Sequence, residues 1–131
     1  MKKNDVCIYI RDNLGNIDII DKYKSKLCEF ATINMPDLEQ IVFIEKGCVL
    51  NSERDIFNDL YKHIQEKHTK WVIVPHIDRF YKINYENGFQ KPNDIVNKIL
   101  SYGTGIVSYN EGKVLTSNNK VFELSNYKFK R

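Results

Sequence analysis

The chain has 131 residues, 42% of them hydrophobic and 28% charged, with a net charge of +3. That length suits one domain that buries a core without staples, and the composition excludes a disordered or fibrous chain. The mild positive charge permits contact with nucleic acid but does not argue for it.

The opening residues, Met1 to Asp5, lead into an apolar run too short for a signal segment or a membrane span. No membrane association is expected. Val6 to Ile10 reads as a buried strand running into the polar loop that starts at Arg11. Ile17, Ile20, Tyr23, Leu27 and Phe30 then recur at helical spacing, with Asp18 and Asp21 in the first turns. Ile41 to Ile44 is a second strand. Ser52 is an expected N-cap for a helix carrying Ile56, Phe57, Leu60, His63 and Ile64. Trp71 to Pro75 is a third strand, followed by a polar and aromatic stretch with Asn87-Gly88 as a turn signal. Asn93 is expected to cap a helix bearing Ile95, Val96, Ile99 and Leu100, with Gly103 as its stop. Gly105 to Tyr109 is a fourth strand. Val114, Val121 and Phe122 flank Ser117-Asn118-Asn119 as a hairpin, and the tail from Tyr127 to Arg131 is basic.

This alternation predicts an α/β domain: a three-layer, mainly parallel, four-stranded sheet with helices on both faces and a C-terminal β-hairpin. One domain spans 1–131, with its core at 5–110 and the hairpin and tail at 111–131. Ile8, Ile10, Val42, Ile44, Val72, Val74 and Ile106 are the expected core. Ligands of such sheets sit beyond the carboxyl ends of the strands, so the loops after Ile10, Ile44, Pro75 and Tyr109 carry the candidate site.

Cys7, Cys28 and Cys48 are widely spaced, with no C-x-x-C pair, so free thiols and a reducing cytoplasm are expected. His63 and His68 lie five apart and do not share a helix face. No cysteine or carboxylate completes a ligand set with them, so neither a metal site nor a cofactor is expected. His76 reads as a strand-end residue.

Three pieces of sequence stand in the candidate loops. Ile8-Tyr9-Ile10-Arg11-Asp12-Asn13 runs from the end of the first strand into the loop after it. Ser52-Glu53-Arg54 opens the second helix. Ile77-Asp78-Arg79-Phe80-Tyr81-Lys82 follows the third strand. In order and spacing they resemble the serine recombinases (resolvases and invertases), whose catalytic domain has Tyr-x-Arg-x-Ser, an arginine opening a helix, and Leu-Asp-Arg-Leu-x-Arg. The resemblance spans roughly residues 5 to 110. It implies a resolvase-like fold in which a serine hydroxyl attacks a DNA phosphodiester while arginines stabilise charge on the phosphate oxygens. Carried over by position, Arg11, Arg54 and Arg79 line a phosphate site and Asp78 orients them.

Two positions depart from that pattern. Asn13 stands at the nucleophile position, and a carboxamide cannot form the phosphoester. Lys82 replaces the last arginine, which keeps the charge but loses the two-pronged grip. The resemblance also implies a long helix after the last strand and a helix-turn-helix domain, and neither is expected here. No catalytic residue is expected.

The implied function is a catalytically inactive, resolvase-like binding or regulatory domain linked to DNA recombination or a mobile element. Its implied partners are DNA, held weakly, or a recombinase protein. Other readings stay open: an ordinary ion-pair network at these arginines, a protein-interaction domain on a flavodoxin-like scaffold, or a phosphate-ester enzyme of other chemistry. Tyr81, Tyr85 and Phe89, interleaved with Lys82 and Lys91, fit either a stacking surface for single strands or a loop folded down by its aromatics.

Overall fold

The computed structural model describes residues 4–12, 16–46, 55–66, 69–76, 82–84, 88–90, 92–118 and 120–129. Their elements run β1 (Asp5–Asp12), α1 (Ile17–Asn34), β2 (Glu39–Lys46), α2 (Asp55–Glu66), β3 (Thr69–Val74), β4 (Lys82–Asn84), β5 (Gly88–Gln90), α3 (Pro92–Ser101), β6 (Gly105–Ser108), β7 (Lys113–Leu115) and β8 (Val121–Glu123). The main sheet has six strands, in the order β2-β1-β3-β6-β7-β8. β1, β2, β3 and β6 pair in parallel, whereas β7 and β8 add on antiparallel.

Among the described residues the main sheet therefore has six strands instead of the expected four. β7 hydrogen-bonds to the free edge of β6, in the register Val107 to Val114, so the C-terminal strands extend the sheet. β4 and β5 pair antiparallel as a separate two-stranded ribbon, Lys82 opposite Gln90. In sequence Asn87-Gly88 signals only a turn, because three residues on each side carry too little alternation to mark strands.

β1 sits inside the sheet with both faces covered, and only Asp12 escapes full burial. This is why its apolar run is nearly continuous. Alternation along β1 divides the core. Val6, Ile8 and Ile10 pack with Ile20, Leu27 and Ala31 of α1. Cys7 and Tyr9 face the other way, onto Leu60 and Ile64 of α2 and Val96, Ile99 and Leu100 of α3. Five of the seven expected core residues are fully buried: Ile8, Ile10, Val72, Val74 and Ile106. Val42 and Ile44 are only half-buried, because β2 is an edge strand with β1 as its single neighbour.

Helix ends follow local chemistry. Asn16 caps α1, its side chain accepting from the amides of Asp18 (3.0 Å) and Ile19 (3.3 Å). α3 starts at Pro92, one residue before the expected cap Asn93; a proline at the first helical position gives up an N–H that would have no helical partner. Gly103, at φ 81°, ends that helix in the left-handed region, and its N–H donates to the carbonyl of Leu100 at 2.9 Å.

The aromatic residues near the end of the described chain pack down on the domain. Tyr127 and Phe129 stack edge-on against Trp71, with centroids at 5.8 and 5.1 Å. Trp71 in turn lies over Gly105, where a Cβ would collide with the indole ring. Gly105→Ala is expected to destabilise the fold by about 1–3 kcal/mol through overpacking, seen as a lower urea midpoint. An unchanged midpoint would mean that the indole and tail shift freely.

Candidate phosphate site at the carboxyl edge

β1 delivers the first of the candidate residues. Tyr9 and Arg11 lie two apart, so they share the face covered by α2. Arg11 is 6% exposed, deep for a guanidinium. The parallel register sets Glu45 of β2 opposite Arg11, and Glu45 is 9% exposed. The Tyr9 hydroxyl donates to the Glu45 carboxylate. A cation and a carboxylate thus occupy neighbouring strands on one face at the carboxyl edge, with a phenol tying the acid in place.

Asp12 closes β1 and Asn16 caps α1. The Asp12 carboxylate accepts the Asn16 amide at 2.8 Å, just where the capping bonds of α1 begin. Asp12 therefore ties the end of β1 to the start of α1.

Further along the same edge, Tyr109 and Asn110 donate their amides to the carbonyls of Val74 (2.8 Å) and Pro75 (2.7 Å), holding the chain after β6 against β3. The buried Ser108 hydroxyl donates to Glu111, and His76 Nδ1 lies 3.6 Å from the same carboxylate. His76, a strand-end residue by its sequence position, is thus one partner in a polar cluster that spacing does not reveal.

Of the residues singled out in sequence, Arg11 is placed at the carboxyl edge. Lys82 opens β4. Asn13, Arg54, Asp78 and Arg79 lie outside the described residues. Glu45 escapes sequence reasoning because nothing in its own strand marks it; only the register with β1 sets it across from Arg11.

Tyr9→Phe tests the polar link. It leaves a buried carboxylate short of one donor, which is expected to cost about 1–3 kcal/mol in a urea unfolding curve. A loss below about 0.5 kcal/mol would mean that other donors replace the phenol.

The opposite, amino edge of the sheet holds a second polar group. Asp5 and Cys7 begin β1 on the α2 face, and His63 reaches them from α2, its Nε2 3.2 Å from Asp5 Oδ2. Sequence spacing shows no cysteine or carboxylate beside His63, yet folding brings Asp5, 58 positions away, and Cys7 to it. Burial pushes the Cys7 thiol up from its ordinary 9.0 to about 12; a hydrogen bond with Thr69 offsets part of that rise and the Asp5 charge adds to it. Among the described residues, no helix is long and apolar enough to cross a membrane.

No family model and no curated protein matches the sequence. Solved structures do. The N-terminal catalytic domain of TP901-1 integrase superposes with a TM-score of 0.65 at 20% identity, covering 85% of this chain and 81% of that one. The C-terminal catalytic domain of ISC1926 TnpA, an IS607-like serine recombinase, superposes with a TM-score of 0.63 at 18% identity, covering 80% and 70%. The chain has a serine-recombinase-like fold.

Proposed function

We propose that this chain is a catalytically inactive serine-recombinase-like domain that acts by binding DNA, in the setting of recombination or a mobile element. One observation carries the reading. β1 of a recombinase-like sheet brings Tyr9 and the buried Arg11 to the carboxyl edge, and two residues beyond Arg11 the chain has Asn13 where the resemblance implies a serine. Arg11, Arg54 and Arg79 form the phosphate-binding set in this reading, with Asp78 orienting them and Lys82 adding charge. Phosphate suits such a set because it accepts hydrogen bonds from several directions at once. Asn13 offers an amide in place of a hydroxyl, so the site holds a phosphodiester without attacking it.

Fluorescence anisotropy with a short DNA duplex tests the binding half. The expected result is weak binding at low salt that fades steeply as salt rises, since affinity comes from counterion release at a few basic groups. Arg54→Ala and Arg79→Ala should each weaken it and flatten the salt dependence. Absence of binding at low salt would overturn the DNA reading and favour a recombinase protein as the partner.

A further inference from the structure

We propose that Asp5, Cys7 and His63 form a three-donor site for a zinc-like divalent cation at the amino edge of the sheet, opposite the candidate phosphate site. Each donor comes from a rigid element: two from β1 at alternate positions, one from α2 packed on that face. The Asp5 carboxylate lies between the others. Its Oδ2 is 3.2 Å from His63 Nε2 and its Oδ1 is 4.0 Å from Cys7 Sγ. All three donor atoms fall within 4.8 Å of one another. Around a tetrahedral zinc ion with bonds of about 2.0–2.3 Å, neighbouring ligand atoms stand roughly 3.3–3.7 Å apart, so a small closure of the set holds the ion.

The chemistry of the donors points the same way. One carboxylate oxygen, one imidazole nitrogen and one sulfur are the mixed set that zinc accepts, whereas calcium and magnesium want oxygen alone. Asp5 is 5% exposed and Cys7 is fully buried, so an ionised pair of these groups needs a compensating charge. A divalent cation supplies it: carboxylate, thiolate and M²⁺ sum to zero, with His63 neutral. The thiol proton leaves to solvent as the sulfur–metal bond forms. Thr69 Oγ1, 3.7 Å from Cys7 Sγ, is placed to support the thiolate from behind. His63 is the most open of the three, its side chain 18% exposed, and gives the ion its way in from solvent. The Phe43 ring, 5.9 Å from the imidazole, packs beside it.

The test is a cobalt(II) titration of the full chain after chelator treatment. The expected result is a thiolate-to-cobalt charge-transfer absorption that saturates at one ion per chain and is displaced by zinc(II). Cys7→Ser should abolish the band, and His63→Gln should weaken binding about tenfold or more. Circular dichroism checks that each variant is folded. If Cys7→Ser does not fold, His63→Gln decides alone, since His63 is the partly exposed donor; unchanged affinity there overturns the site. A folded wild-type protein with no charge-transfer band, or a band that survives Cys7→Ser, also overturns it. Neither outcome touches the DNA-binding reading, which rests on the other edge of the sheet.

Discussion

Leu60→Ala is expected to cost about 2–5 kcal/mol of stability, more than either Gly105→Ala or Tyr9→Phe. Leu60 is fully buried in the middle of α2 and packs among Cys7, Tyr9, Val72 and Val74 of the sheet. Truncation removes the transfer energy of three carbons and leaves a cavity. Strands on one side and a helix on the other hold that cavity open, so it closes poorly. The cost reaches the candidate site as well. α2 covers the face that bears Tyr9 and Arg11, and Arg54 immediately precedes that helix in sequence. Urea unfolding measures the loss, with Lys62→Ala on the exposed side of the same helix as the control, expected within about 0.5 kcal/mol of the parent. Similar midpoints for the two variants would contradict the packing of α2 against the sheet.

The second prediction concerns chemistry. Asn13→Ser restores the hydroxyl that the resemblance implies. Under the proposed function the variant is still expected to give no covalent adduct with duplex DNA. Two departures remain after the substitution. Lys82 lacks the planar fork that grips a phosphate through two parallel bonds. Within residues 113–129, the chain builds β7, β8 and a packed tail where the resemblance implies a long helix. Denaturing gel electrophoresis of protein incubated with labelled duplex reads the outcome directly. A slow-migrating adduct from Asn13→Ser would mean that the arginine set is intact and only the nucleophile was lost. It would also raise DNA cleavage from near background by orders of magnitude, since a positioned nucleophile with oxyanion stabilisation is worth that much.

Much of the fold is legible because burial writes itself into local sequence. β1 and β3 are covered on both faces, and their apolar runs stand out without any alternation. α1 declares itself through Ile20, Tyr23, Leu27 and Phe30, buried or half-buried on one stripe, although Ile17 at its start is exposed. Edges are harder. Val42 and Ile44 look like core residues, yet an edge strand leaves them half-exposed. β7 and β8 read as a hairpin, but their membership of the main sheet depends on the free edge of β6, which no local pattern encodes. The site divides in the same way. Arg11 is legible because it follows a recognisable apolar run, although it belongs to β1, which continues to Asp12, and not to the loop. Glu45 is not, since only the β1–β2 register sets it across from Arg11. His63, Asp5 and Cys7 meet through tertiary folding, and the spacing of His63 from His68 speaks only for one helix.

Under the proposed function, a recombinase-like fold carries a site that binds without reacting. The most direct measurement is a search for covalent protein–DNA adducts from the unmodified chain, using supercoiled and linear DNA followed by denaturing electrophoresis and mass spectrometry. The expected result is no adduct and no strand cleavage, because Asn13 offers no hydroxyl to form a phosphoester. A phosphoester-linked DNA fragment recovered on any residue of the unmodified protein would contradict it.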